Sequence, residues 1–269
     1  ESKNLARRNI EISMRDLRFA FHTKLEFSSG VTDHSFLLRC IPWDDASQRL
    51  QSWQLSVRPL AGQGSYGCDA FGNKLFVGCI EDKHQLLEYS IEGRILRNGT
   101  AKAEPQPMPC YRYGSPLTKP SASMKEFLAE LAITATPEGM LKLSRGIYEY
   151  FDYEAGSTNI RTTAAEAFAK RQGVCQDFAH VFVSLARLAG LPARYVCGLP
   201  QGEGTTHAWG EIWYNGCWYG YDPTRNQLVD EGYITLAVGR DYGDCPVERG
   251  IFRGAADQLQ TVFMQVQEQ

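Results

Sequence analysis

Over residues 17–95 apolar and polar positions change over in short runs. The stretches LRFAFHTKLEF (17–27), HSFLLRCI (34–41), WQLSVRPL (53–60), KLFVGCI (74–80) and LLEYSIEGRI (86–95) are strand-like in length and composition. The turn formers SSG, PWDD, AGQGSYG and FGN separate them. Strands at this spacing predict an antiparallel β-sandwich-like domain or a small barrel. The pattern breaks at AEPQPMPCYRYGSPLTKPS (103–121), whose five prolines suit an extended connector. The boundary falls inside it, giving a β-rich unit over 1–110 and a second unit over 111–269.

Beyond the connector the period lengthens to that of helices. Ser123 with Glu126, and Thr163 with Glu166, have the spacing of capping boxes. A helix begins at Pro137, with apolar residues at 140, 143, 147, 150 and 151. Another carries Val174, Phe178, Val181, Phe182, Leu185 and Leu188 on one stripe and stops at Gly190-Leu191-Pro192. Strands return at ARYVCGL (193–199), then at HAWGEIWY and CWYGYDPT on either side of Asn215-Gly216, a strong hairpin signal. The fold class expected is α+β.

Composition narrows the possibilities. A chain of 269 residues with 43% hydrophobic and 22% charged residues is that of a soluble globular protein. A net charge of −3 argues against nucleic acid as the main partner. No run of apolar residues is long enough for a membrane span. The opening ESKNLARRNI has no apolar core of a signal peptide, though it also lacks an initiating Met. The eight cysteines (40, 68, 79, 110, 175, 197, 217, 245) show no C-x-x-C spacing. A chain of this length needs no disulfides for stability, so reduced thiols and a cytoplasmic setting are expected.

One cysteine stands apart. Cys175 opens the helical stripe directly after Gly173-Val174, which adds backbone freedom. There, unpaired N–H groups and the positive end of the helix dipole favour a thiolate and offer an oxyanion site. With Asn215 and Gly216 as a two-residue loop, Tyr214 faces Cys217, Trp209 faces Asp222 and His207 faces Thr224. His207 and Asp222 are then diagonal neighbours on one face, roughly 7–8 Å apart at the backbone. A carboxylate on one imidazole nitrogen fixes the tautomer and leaves the other nitrogen for a nucleophile. Cys175, His207 and Asp222 together would make a thiol acyl-transfer constellation.

These residues carry a resemblance. GVCQDFAHVFVSLARLAGLPARYV and THAWGEIWYNGCWYGYDPT resemble the transglutaminase-like superfamily of papain-like cysteine enzymes, whose Cys, His and Asp match Cys175, His207 and Asp222 in order. FDYEAGSTNIRTTAAEAFAKRQGVC resembles the approach to the family's nucleophile. VGRDYGDCPVERGIFRG (238–254) and CDAFGN (68–73) are similar to segments of the bacterial members, which are described as cysteine proteases. The resemblance implies a β-rich N-terminal domain before a papain-like catalytic one, a peptide or protein substrate, and no cofactor. Papain-type relatives place an oxyanion-hole amide six residues before the cysteine, where this chain has Ala169. Gln172 or an aromatic of YEYFDY (148–153) would have to stand in.

Other polar residues have ordinary readings. His180 is about 140° around the helix from Cys175, which suits packing or capping. Asp177 suits the helix dipole. Trp209, Trp213 and Trp218 share the His207 face, as either an acyl groove or core. Arg240, Asp241 and Tyr242 form a polar turn that the resemblance places beside the site. Cys197, Cys217 and His207 lack a fourth ligand, so no metal site is expected. Three functions follow: amide hydrolysis, most readily of peptides; acyl transfer to an amine by the same residues; or peptide binding without turnover.

Overall fold

One strand, β1 (Met14–Leu38), runs through both of the first two stretches expected as separate strands. The computed structural model describes residues 14–59, 64–99, 102–104 and 106–269; the opening stretch read for a leader, and part of the AGQGSYG turn, lie outside them. SSGVTD does not reverse the chain. Pairing to β5 lapses between Glu26 and Val31, pairing to β15 slips between Thr32 and Ser35, and Asp33 takes a φ of 48°. Irregularities of this kind bend a strand without ending it.

The elements in order are β1, β2 (Gln48–Arg58), β3 (Ser65–Cys68), β4 (Lys74–Ile80), β5 (His84–Asn98), β6 (Lys102–Ala103), α1 (Ala122–Leu131), α2 (Pro137–Tyr150), β7 (Asp152–Tyr153), α3 (Ala164–Lys170), β8 (Gln172–Gly173) and α4 (Cys175–Leu188). There follow β9 (Ala193–Pro200), β10 (Gly202–Gly204), β11 (His207–Tyr214), β12 (Cys217–Asp222), β13 (Gln227–Leu228), β14 (Tyr233–Gly239), β15 (Glu248–Arg253) and β16 (Gln258–Glu268).

The first half of β1 lies between β5 and β16, and its second half between β4 and β15. The sandwich-like layering expected of the N-terminal part is thus made by one strongly curled sheet, closed over Leu17, Phe19, Phe21, Leu25, Phe36 and Leu38. Its membership reaches past the expected boundary. Strands β15 and β16, far beyond residue 111, pair along β1, so the chain returns to the N-terminal sheet at its end. The backbone N–H and C=O groups of β1 need partners on both edges, and the C-terminal strands supply one edge.

The second sheet runs β13-β12-β11-β9-β14. Helix α4 lies on it, buried through Phe178, Val181, Phe182 and Leu185. Gly210 on β11 permits this approach, because a Cβ there would stand 2.3 Å from the Phe182 ring. The Thr163–Glu166 capping box is present as expected. For α1 the cap is Ser121 rather than Ser123, its hydroxyl accepting from Met124 N–H at 3.3 Å. The proline-rich connector is held rather than free: Glu104 C=O accepts from the Trp213 indole at 2.7 Å, and Tyr111 is buried.

The two sheets share a core, since Leu199, Ile234 and Leu236 pack with the curled sheet. They are also stitched by amide side chains along β14, which ends the second sheet. Gln48 accepts from Thr235 N–H at 2.8 Å and donates to Thr235 C=O at 2.9 Å; Asn73, of the CDAFGN turn, does the same to Val238, both at 2.8 Å. Asn73 is fully buried and makes four side-chain hydrogen bonds in all, the others to Asp69 and Trp43. Asn73→Ala is expected to cost about 2–4 kcal/mol, because it orphans the Val238 backbone groups in the interior. Urea unfolding measures this, and a loss under about 0.5 kcal/mol would show that the stitch is dispensable.

Candidate active site

The Asn-Gly turn sets the site. Asn215 (φ 47°) and Gly216 (φ 87°) both take positive φ, as a two-residue hairpin loop requires. The register is the expected one, from Tyr214 opposite Cys217 through Gly210 opposite Tyr221. His207, at the start of β11, and Asp222, at the end of β12, meet as diagonal neighbours, with His207 Nε2 donating to Asp222 Oδ2 at 2.7 Å. His207 is 8% exposed and Asp222 fully buried.

Cys175 is the first residue of α4, so its own N–H has no intrahelical acceptor. Val174 before it is extended, and Asp177 completes the cap: its Oδ2 accepts from Val174 N–H at 2.9 Å and from the Thr158 hydroxyl at 2.6 Å. Burial pushes the Asp177 carboxyl upward. Its role is therefore to hold the helix start. Gly173 is needed for a reason other than backbone freedom, since a Cβ there would lie 2.6 Å from the Asp177 Cβ.

Besides Asp222, the Cys175 thiol acts on the His207 ring. Burial alone would lower the ring's pKa, but the hydrogen bonds to Asp222 and Cys175 outweigh it and raise it to about 9. The structure thus places Cys175, His207 and Asp222 where they interact. Neutral pH finds the ring protonated.

Asp222 has more partners than expected. Oδ1 accepts from the Thr224 and Arg225 N–H groups at 3.0 and 3.2 Å. Oδ2 accepts from the Tyr233 hydroxyl at 2.8 Å as well as from His207. Tyr233 itself accepts from Gln227 Nε2 at 2.6 Å. Sequence reasoning missed Tyr233 and Gln227. Gln227 lies opposite Asp222 across β12 and β13, while Tyr233 reaches it from β14, with β9 and β11 intervening in the sheet.

The remaining expected residues separate. Gln172 is half-buried in β8, and Ala169 is exposed at the end of α3. Among the YEYFDY aromatics, Tyr150 stacks on Phe168 and Phe151 is core, while Tyr153 is 61% exposed and pairs across from Gly173. Burial and the nearby Cys175 both raise the Tyr153 phenol. Trp209 lines no groove: it is fully buried with Val196, Val238 and Tyr233, its ring edge-on to Tyr233 at 5.2 Å. Tyr242 packs in the same cluster as Cys175, and its N–H donates to His180 Nε2 at 3.0 Å. His180 therefore anchors the 240–242 turn to α4. Burial lowers its pKa to about 4, so it is neutral. All eight cysteines are free thiols. Among the described residues no group of three His, Cys, Asp or Glu side chains is placed to hold a metal ion, and no helix is long and apolar enough to cross a membrane.

Comparison with known proteins agrees in both halves. Residues 126–223, which include all three converging side chains, match the transglutaminase-like superfamily. Residues 17–96 match the bacterial transglutaminase-like N-terminal region. An uncharacterized protein of Mycobacterium bovis is 30% identical over 277 aligned residues, covering 87% of this chain and 86% of its own length. A second, from Mycobacterium leprae, is 41% identical over 118 residues, covering 39% of this chain and 42% of its own. A crystal structure from Cytophaga hutchinsonii, provisionally named a cysteine protease, superposes with a TM-score of 0.79 at 22% identity, covering 95% of this chain and 93% of its own. That likeness extends the shared fold across both sheets. On these matches, the chain belongs to the transglutaminase-like superfamily, in the bacterial form that carries its own N-terminal region.

Proposed function

We propose that this protein is a cysteine-dependent amide hydrolase acting on peptides. The observation that carries the reading is the His207 ring, held by a buried carboxylate and acted on by the thiol of a helix-start cysteine. In this reading His207 holds the thiol proton, leaving a thiolate that attacks an amide carbonyl. The Cys175 N–H donates a hydrogen bond to the oxygen on which charge develops. His207 then delivers its proton to the leaving amine, which departs and leaves a thioester. Water, deprotonated by the same ring, resolves the thioester to the free acid and restores the thiol. Asp222 keeps the ring oriented and charged. Tyr153 and Gln172, flanking the segment before Cys175, are the side chains assigned as candidates for the second oxyanion donor, with Tyr242 bordering the acyl site.

Family membership supports a second reading, in which an amine resolves the same thioester. The products distinguish the two. With casein as substrate and a fluorescent primary amine as acceptor, hydrolysis gives new amino termini and little incorporated dye. Dye incorporation without new termini would replace this reading with acyl transfer. Neither product from a folded protein would leave peptide binding without turnover.

A further inference from the structure

Two donors share one oxygen of Asp222, and only one of them belongs to the chemistry just described. His207 Nε2 and the Tyr233 hydroxyl both bond Oδ2, at 2.7 and 2.8 Å. Geometry alone does not require the second. Asp222 is already oriented by two backbone N–H groups on Oδ1 and by its place in the strand. The Tyr233 hydroxyl is itself directed, because Gln227 Nε2 donates to its oxygen at 2.6 Å and so turns its proton toward the carboxylate. The Tyr233 ring is fixed independently, against Trp209 at 5.2 Å and beneath the Arg225 guanidinium at 5.9 Å. A well-supported phenol thus spends its one proton on a carboxylate already held in place.

We propose that Tyr233 is a positioning residue that acts on His207 through Asp222, drawing charge from the oxygen that holds the ring and limiting how tightly His207 keeps its proton. Donors on one oxygen compete for the same electron density, so each weakens the other's bond. In the dry surroundings of a fully buried Asp222, that competition is not masked by water. The consequence for catalysis rests on the hydrolase reading. His207 must release a proton to the leaving amine in every cycle, and a ring gripped too strongly by Asp222 releases it slowly. Tyr233 keeps the grip moderate.

Among the described residues, few charged and titratable groups face this pair. They are Cys175 from α4, Arg225 from the turn after β12 with its Nε 3.8 Å from Asp222 Oδ2, and Tyr233 from β14. Cys197 on β9 and Tyr153 on β7 lie further out, beside Cys175. None of these competes with Tyr233 for the oxygen that holds the ring except Arg225, at a longer distance.

The test is a direct titration of the His207 Cε1–H signal by NMR, in the wild type and in Tyr233→Phe. The variant keeps the ring and its contact with Trp209. Its His207 midpoint is expected to rise by about half a unit to one unit. Gln227→Ala, at an exposed position with little folding risk, is expected to move it the same way by less. An unchanged or lowered midpoint in Tyr233→Phe, with the fold intact by thermal melting, would show a purely structural tyrosine and overturn the proposal. Should Tyr233→Phe not fold, Gln227→Ala decides alone, with the same two outcomes. Iodoacetamide labelling of wild-type Cys175 tests the hydrolase reading separately. A cysteine no faster than the other seven sinks that reading, whereas fast labelling with an unmoved His207 midpoint sinks only the role of Tyr233.

Discussion

Cys175→Ala is expected to lower the release of new amino termini from casein by about 10⁴-fold or more, the loss seen when a covalent nucleophile is removed from a coupled set of groups. The fold is expected to survive, because Cys175 is only half-buried and the helix start is held by Asp177, not by the thiol. His207→Ala is expected to lose about as much, since the two act as one unit and their losses do not add. Residual hydrolysis within tenfold of wild type in Cys175→Ala, with the protein folded and free of contaminating protease, would place the nucleophile elsewhere. Removing the thiol should also lower the His207 midpoint, because the ring loses one of the two hydrogen bonds that raise it.

Asp222→Asn carries the second large effect. Among the described residues, every hydrogen-bonding partner of the Asp222 carboxylate is a donor: the His207 ring, the Tyr233 hydroxyl and the Thr224 and Arg225 amides. A carboxylate accepts from all four, whereas an amide must turn its NH₂ toward a donor whichever way it is flipped. Turnover is expected to fall by about 10³-fold or more, in line with the loss of a carboxylate that orients a catalytic imidazole. The His207 midpoint is expected to fall from about 9 toward or below its ordinary 6.5, since burial, which lowers it, is then opposed only by Cys175. The folded-state pKa of wild-type His207 lies above the unfolded one. The stability it contributes is therefore fully present below about pH 6.5 and is lost as pH rises through about 9. The wild type should thus exceed Asp222→Asn most at pH 6, by at most roughly 3 kcal/mol from this group, with that part of the difference gone near pH 10. Urea midpoints at the two pH values measure it. A gap that widens with pH would contradict the assigned ion pair.

The legible parts of this fold were those fixed by short-range chemistry. Asn215-Gly216 set a register from which the meeting of His207 and Asp222 followed by parity alone, and the structure keeps that register residue by residue. Thr163 and Glu166 cap α3 as their spacing indicates. Local signals misled where two of them stood close together. Ser121 and Ser123 both precede α1, and the one that caps is the one whose hydroxyl reaches Met124 N–H. The SSGVTD run has turn composition yet lies inside β1, because the regular ladders before and after it, with Val31 opposite His84 and Thr32 opposite Arg253, carry the strand across the lapse. Long-range partners left no trace in spacing. The return of β15 and β16 to β1 and the reach of Tyr233 to Asp222 each depend on which elements become neighbours in space. Trp209 could be read from sequence as groove or core because an alternating strand shows which residues share a face, not what covers that face.

The amide stitching of β14 has a consequence for self-association. An outermost strand presents unpaired N–H and C=O groups, which can template a strand from another molecule. In β14 the groups of Thr235 and Val238 are already taken by Gln48 and Asn73, side chains that imitate a neighbouring backbone without continuing the sheet. Two glutamine- and asparagine-type side chains thereby act as a guard against intermolecular β-pairing. The guard is supplied wholly by the first hundred residues, so a piece of this chain beginning at residue 111 would carry the second sheet with an open edge. Such a fragment is expected to form β-rich aggregates, detectable by thioflavin fluorescence, that the whole chain does not form.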